Sequence, residues 1–444
     1  MKLTSLVLGL AAVAGNLAAA PASAQQPDLY SIPAKSKYSL LTFAGKRPLT
    51  RAERTNFLET SHYDDVIQFI DSLKLLGAKI VVGSIGKTSQ GREQPYVIAS
   101  RPLVSTPAEA RALNRPIAYI QANIHAGEVE GKEAMLAMLR DLVFDTKKNV
   151  LDSIVLIVQP IYNADGNEMF GPQARNRNNQ NGPELVGQRH SGQDYDLNRD
   201  YVKLDAPETR SSIAAFNAWN PDVFMDLHTT DGSIHGYSLT YSPPLNPASV
   251  TVRPYVVDTL LPAIRQRMRD RDGFETNDYG DFARSGPGAS GAGRGASLEA
   301  AVAVSIPTEG WVFSTYEPFP RYGTNYYGLR GRISILSEAF SHDPFARRVA
   351  STYDFVAEVL SFTAEHHKEI LAVGRQSDHN LAVWAAAPST SPAISLQSRK
   401  DTTRMEDVRV EMLAPLADPA KAEPGMGNRQ RTGVIKLVHM PVMV

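Results

Sequence analysis

PIAYIQANIHAGEVEGKEAM, residues Pro116 to Met135, decides the fold. Its first nine residues form an apolar, β-branched run that reads as a strand, and the run stops at His125. Gly127 breaks the pattern, Glu128 follows, and from about Glu130 to Phe144 the apolar residues recur at helical spacing. A second continuous apolar run, DSIVLIVQP, comes next. Strand, helix, strand with unbroken apolar strands predicts a parallel pair in a sheet covered on both faces. His125 and Glu128 then sit at the carboxyl end of a buried strand. Taken alone, His-x-x-Glu reads equally well as a polar turn entering a helix.

The same grammar extends in both directions. TSHYDDVIQFIDSLKLLGA reads as a helix, with Val66, Phe69, Ile70, Leu73 and Leu76 on one face and Thr60 or Ser61 as cap. KIVVGSIG and QPYVIAS read as strands around the turn KTSQGRE. Downstream, APETRSSIAAFNAW is helical, PDVFMDLH is an apolar run ending at His228, and GRISILSE is another ending at Glu338. Asp343 to Gly374 reads as one long helix, and the helical pattern fails from about Ser377. Phe282 to Ser297 is dense in Gly, Ala and Ser and reads as a mobile loop. The expected fold is α/β, with a mixed, largely parallel central sheet, helices on both faces and a short C-terminal tail with β structure. The expected domain plan is a signal peptide over 1–24, a lead-in over 25–59, a catalytic unit over 60–373, and over 374–444 a linker followed by a small β unit.

Composition bounds the function. The chain has 444 residues, 43% of them hydrophobic and 21% charged, which suits a folded protein with a substantial core. Its 46 basic and 47 acidic residues leave a net charge of −1, so no global field favours nucleic acid or an anionic surface. Lys2, an apolar stretch and Ala22-Ser23-Ala24 have the layout of a secretory leader, too short and too interrupted to span a membrane. With no cysteine, the chain has neither disulfides nor thiol chemistry. The expected location is the periplasm or the secreted fluid, with no integral membrane segment once the leader is removed.

Three apolar runs therefore end in His125 with Glu128, in His228, and in Glu338. In open α/β sheets ligands bind in the crevice outside the carboxyl ends of the strands, where these groups can converge. Two imidazoles and one carboxylate make a catalytic zinc set with a fourth position left for water.

Four motifs occur in the order found in one family: His-Ala-Gly-Glu at His125 to Glu128, DLNRD at Asp196 to Asp200, DLH at Asp226 to His228, and SILSEAF around Glu338. Over about Thr60 to Val373 the chain resembles the M14 family of zinc metallocarboxypeptidases. The resemblance implies one Zn2+ per chain held by His125, Glu128 and His228, with Glu338 as general base. It implies that Asp196 orients a ligand histidine and that Asn198 and Arg199 receive a substrate's terminal carboxylate. For the arginine over the developing oxyanion, ARNRNNQNG offers Arg175 and Arg177, of which Arg177 is preferred. The tyrosine that closes over substrate stays open among Tyr316, Tyr322, Tyr326 and Tyr327. A non-proline cis peptide is expected at Thr229 to Thr230.

The remaining histidines read as structural. His366 and Glu369 repeat the His-x-x-Glu spacing on the polar face of a helix, where a solvated pair is expected. His190, His235 and His342 are expected on rims or loops. The reading is a peptide hydrolase acting at C-termini, with a peptidoglycan-peptide amidase of the same fold and a non-catalytic binder of peptide termini as the alternatives.

Overall fold

The structure is a computed structural model, and it describes residues 30–38, 45–284, 311–390, 402–416 and 429–443, together with 418, 421, 422 and 426. The leader-like residues 1–24 and most of the Gly-rich stretch lie outside the described residues. The strands are β1 (Val81–Lys87), β2 (Glu93–Ala99), β3 (Ile117–Ala122), β4 (Val155–Gln159), β5 (Gly171–Pro172), β6 (Leu185–Val186), β7 (Val223–Thr229), β8 (Leu239–Ser242), β9 (Thr276–Asp278), β10 (Asp281–Arg284), β11 (Trp311–Ser314), β12 (Ile333–Ala339), β13 (Thr402–Pro415) and β14 (Arg429–Met443).

Eight of them form one mixed sheet in the order β1-β2-β4-β3-β7-β12-β8-β9. Its centre is parallel, with β4, β3, β7 and β12 running the same way. After β3 the chain crosses to β4 on one side, and it later returns to lay β7 on the other. The carboxyl ends of β3 and β7 thus flank the point where strand order reverses, the usual crevice of an open α/β sheet.

Alternation along the strands divides the core in two. Val223, Met225 and Leu227 face a cluster that includes Met135, Leu139, Val356 and Leu360, from helices Glu130–Phe144 and Phe345–Glu365. Phe224 faces the opposite side, against Phe216 of helix Pro207–Trp219 and Tyr327 of helix Gly323–Leu329. Asp226 and His228 share the Phe224 side, because the strand period is two. The predicted helix after His125 spans Glu130–Phe144 and packs very closely on the sheet: a Cβ at Gly131 would lie 2.8 Å from Leu227 Cβ.

Several expectations need correction. Thr60 and Ser61 do not cap the helix Tyr63–Leu75. His62 takes that position, donating its N–H to Asp65 at 3.0 Å, while Thr60 and Ser61 bind the buried Glu133 carboxylate from a distant helix. The predicted long helix breaks at His366 into Phe345–Glu365 and His367–Ala386, and the second part continues well past Ser377. The tail does contain strands, but they are long. β13 and β14 pair with each other, and β14 pairs with β11 in a second sheet ordered β10-β11-β14-β13, so Phe282 to Arg284 of the expected loop are strand residues.

Candidate metal centre and active site

The loop leaving β3 is shaped by Asn123, which adopts a left-handed φ of 66° and whose Nδ2 donates to the carbonyls of Ala126 (3.3 Å) and Glu128 (3.2 Å). Asn tolerates that conformation because its short side chain bonds locally. The result folds Glu128 back beneath His125. His228, at the carboxyl end of β7, arrives from the adjacent strand.

His125, Glu128 and His228 are buried, and one ligand atom from each lies within 4.8 Å of the others. His125 Nδ1 is 3.0 Å from Glu128 Oε1, His228 Nδ1 is 2.9 Å from Oε2, and the two Nδ1 atoms are 3.2 Å apart. Each outer ring nitrogen faces a carboxylate. His125 Nε2 is 3.2 Å from Asp196 Oδ1. His228 Nε2 is 3.0 Å from Asp226 Oδ2, close enough for an ion pair but off hydrogen-bond alignment. Carboxylates at Nε2 favour the tautomer protonated there, which directs both Nδ1 lone pairs inward. Two inward imidazole nitrogens and a buried carboxylate fit a zinc ion.

The charges around the site favour a cation there. Burial pushes the Glu128 carboxyl up, but His125 and Arg177 outweigh it and hold the group well below the usual range. Burial opposes a charge on His228, yet Asp226 and Glu128 hold its imidazole well above its ordinary value. Asp196 is likewise held far down by His125, Arg189 and Arg199 against its own burial. Carboxylates thus surround the imidazoles and stabilise positive charge between them.

Glu338 lies directly across the ladder from His228. In-register neighbours present side chains to the same face, so the carboxylate stands beside the triad without belonging to it. Burial pushes the Glu338 carboxyl well above its usual range; Glu128 and Asp231 add to the shift, while His228 and Arg177 oppose it.

Arg177 reaches the site and Arg175 does not. Arg177 Nη1 donates to Glu128 Oε1 at 3.0 Å, and Nη2 donates to the carbonyls of Thr229 and Thr230, each at 3.1 Å. Arg175 bonds its neighbour Asn176 instead. Gly127 makes the approach feasible, since a Cβ there would meet Arg177 Cγ at 2.6 Å. Asn198 and Arg199 form a short turn begun by Asp196, whose Oδ1 accepts from Asn198 N at 3.0 Å. Asn198 Oδ1 accepts from Gly323 N at 2.8 Å. The Arg199 guanidinium stacks 4.4 Å above the Tyr322 ring and donates to Asn198 O at 2.9 Å; among the described residues it pairs with no carboxylate.

Among the tyrosines, Tyr327 is a core residue stacked on Phe216 at 4.0 Å, and Tyr322 lies under Arg199. Tyr316 packs against Tyr322 and Tyr279, and both Tyr316 and Tyr279 feel the charge of Glu338.

Two site residues escaped the sequence reading. Asp226 could have been found, since it stands two residues before His228 and so shares its face. Arg189, which donates to Asp196 Oδ2 at 2.9 Å and lies 3.6 Å from Glu128, comes from a loop with no local signal. His366 and Glu369 form an exposed pair at 3.1 Å, whereas His190 pairs with Asp194 at 3.0 Å in a loop. His235 and His342 are not rim residues. Both are buried, held at the interface where the second sheet covers the segments after β7 and β12. The cis bonds among the described residues all precede proline; Thr230 N instead donates to Ala339 O at 2.9 Å, extending the β7–β12 ladder past His228.

A zinc carboxypeptidase (Peptidase_M14) family model matches residues 66–286, so the chain carries a domain of that family. Among curated proteins, the chain is 30% identical over 146 residues to the "Probable carboxypeptidase 2" of Arthroderma benhamiae, covering 32% of this chain and 24% of that protein. It is 28% identical over 144 residues to the "Carboxypeptidase 2" of Trichophyton rubrum, covering 32% and 23%. The matched region therefore spans about a quarter of the length of these relatives. Solved structures with a similar fold include a metallo-carboxypeptidase from Burkholderia cenocepacia (14% identity, TM-score 0.45, covering 68% of this chain and 69% of that one). Another is the carboxypeptidase A of Helicoverpa armigera (15% identity, TM-score 0.46, covering 74% and 79%).

Proposed function

We propose that the protein is an exported zinc metallocarboxypeptidase that hydrolyses C-terminal peptide bonds, with one ion per chain held by His125, Glu128 and His228. The catalytic unit is assigned to residues 60–373. The observation that carries the reading is Arg199: a guanidinium without a carboxylate partner among the described residues, on the turn begun by the carboxylate that orients His125. A planar fork that feels the charge of Asp196 but has no carboxylate within ion-pair distance among the described residues is suited to the terminal carboxylate of a peptide. Among the described residues no helix is long and apolar enough to cross a membrane. Export rests on the leader-like layout of residues 1–24.

Bound zinc would supply Lewis acidity toward water and the scissile carbonyl. The chain's own residues do the rest. Glu338 takes a proton from the attacking water and returns it to the leaving nitrogen, a task for a single carboxylate held beside, but outside, the ligand set. Arg177, anchored on Glu128 and two strand-end carbonyls, offers positive charge to the carbonyl oxygen as it becomes negative. Asp196 and Asp226 fix the rings of His125 and His228. Asn198 and Arg199 set the substrate's end, which fixes the bond presented to the water.

The test compares a peptide with its C-terminal amide as substrates of the purified protein. Release of the terminal residue from the free acid alone is expected. Efficient cleavage of the amide or of internal bonds would move the assignment to an endopeptidase or a peptidoglycan-peptide amidase.

A further inference from the structure

We infer that Arg431, on the C-terminal strand β14, is a positioning residue for Glu338, so that the second sheet is a working part of the active-site frame; this rests on the proposed role of Glu338 as base. The Arg431 side chain is buried, and all three arms of its guanidinium are used. Nη1 donates to His342 O at 2.7 Å, Nη2 to Asp343 Oδ1 at 3.2 Å, and Nε to Glu411 Oε2 of β13 at 2.7 Å. The group also lies against the rings of Tyr30 (4.4 Å) and Phe340 (5.0 Å).

What it grips is the segment Phe340 to Asp343, which leaves β12 immediately after the catalytic carboxylate. His342 in turn faces Gly232 O through Nε2 at 3.1 Å, and Ser341 N donates to Thr230 Oγ1 at 3.0 Å, so the segment is cross-tied to the chain just beyond His228. The other end of the same hairpin holds β11, which leads directly into Tyr316. Two stretches that border Glu338 are thereby fixed by one element.

The chemistry of the link explains why arginine stands there. Asp343 also accepts from Arg347 Nε at 2.9 Å, and Glu411 from Tyr30 Oη at 2.7 Å, giving a buried chain Arg347–Asp343–Arg431–Glu411 with alternating sign. A planar fork can address a carbonyl and two carboxylates in fixed directions, which a lysine cannot. A buried ionic chain is weak grounds for net stability, so the role inferred for this one is to define a geometry. Here the geometry defined is the exit of the strand that carries the base.

The test is kinetic and structural on the full-length zinc-loaded protein. Arg431→Met leaves Glu411 without its cation, so it is accompanied by the double variant Arg431→Met with Glu411→Gln, in which Asp343 keeps Arg347 and no unpaired charge is buried. In the double variant kcat should fall about 10- to 100-fold, the cost of a misplacement of roughly 1 Å at a reacting group, with KM within about twofold and zinc content unchanged. Arg431→Lys should recover only part of the loss. Amide hydrogen exchange across 338–343 should accelerate. A folded double variant with wild-type kcat and exchange overturns the inference, as does a parallel loss of kcat, zinc and thermal stability. If the wild-type protein cleaves no peptide, the functional reading fails by itself, and the exchange measurement still decides whether Arg431 holds the segment after Glu338.

Discussion

Glu338 and His228 are Cα partners in the parallel ladder between β12 and β7, so the proposed base and one proposed metal ligand share a face at adjacent strand ends. This places a carboxylate beside the donor set by backbone register alone. A shift of one residue would turn Glu338 to the opposite face.

Glu338→Gln keeps the shape and a hydrogen-bonding group but cannot accept the water's proton. Turnover should drop by about 10²- to 10⁴-fold, the range general acid–base groups supply, while the zinc-to-protein ratio stays at the wild-type value. Steady-state kinetics together with metal analysis check this, and near-normal kcat would remove Glu338 from the mechanism.

His228→Ala removes one donor and leaves Asp226 and Glu128 facing a void. Zinc should be lost on dialysis, and activity with it. A chelator applied to the wild-type protein should reproduce the loss, and added zinc should reverse it there but not in the variant. Unchanged zinc content in His228→Ala would place the metal elsewhere.

Arg199→Ala should separate two substrates. With a free C-terminal carboxylate, kcat/KM should fall about 10- to 100-fold, matching the roughly 1.5–3 kcal/mol of a hydrogen bond to a charged group. Any residual rate on the amidated peptide should hardly change, because the amide never formed the ion pair. Equal losses on both would make Arg199 a structural residue.

Acid should destabilise the fold through two histidines outside the proposed metal set. Burial pushes His235 down to about 3 and His342 down to about 4, with nearby cations adding to both. Both values lie below that of an unfolded histidine, about 6.5, so from there down to the folded pKa the unfolded chain binds the extra proton. Stability is complete above about pH 6.5 and falls as pH drops, by up to about 1.4 kcal/mol per unit for each group. Urea midpoints of wild type and His342→Asn, compared between pH 7 and 4.5, should show a shallower decline in the variant, whose side-chain amide can still donate to Gly232 O. Identical slopes would mean that His342 does not titrate on unfolding.

Much of this was legible locally. The apolar runs of β3, β7 and β12 announce buried strands, the turn at Gly127 announces a helix, and the polar residues at the strand ends announce a crevice, because strand and helix periods are local properties of the chain. Asp226 was within reach of the same periodicity. Contacts between distant segments were not. No spacing shows that Arg189 comes to lie 3.6 Å from Glu128, that Glu133 claims Thr60 and Ser61 from a helix cap, or that His235 and His342 are sealed beneath a C-terminal hairpin. The break at His366 and the continuation of the helix beyond Ser377 were likewise not visible in the periodicity. The sequence by itself determined the elements and the chemistry placed at their ends. Only the tertiary structure decided which ends meet, since strand order, register and buried charge partners depend on residues far apart in the chain whose pairing no local pattern encodes.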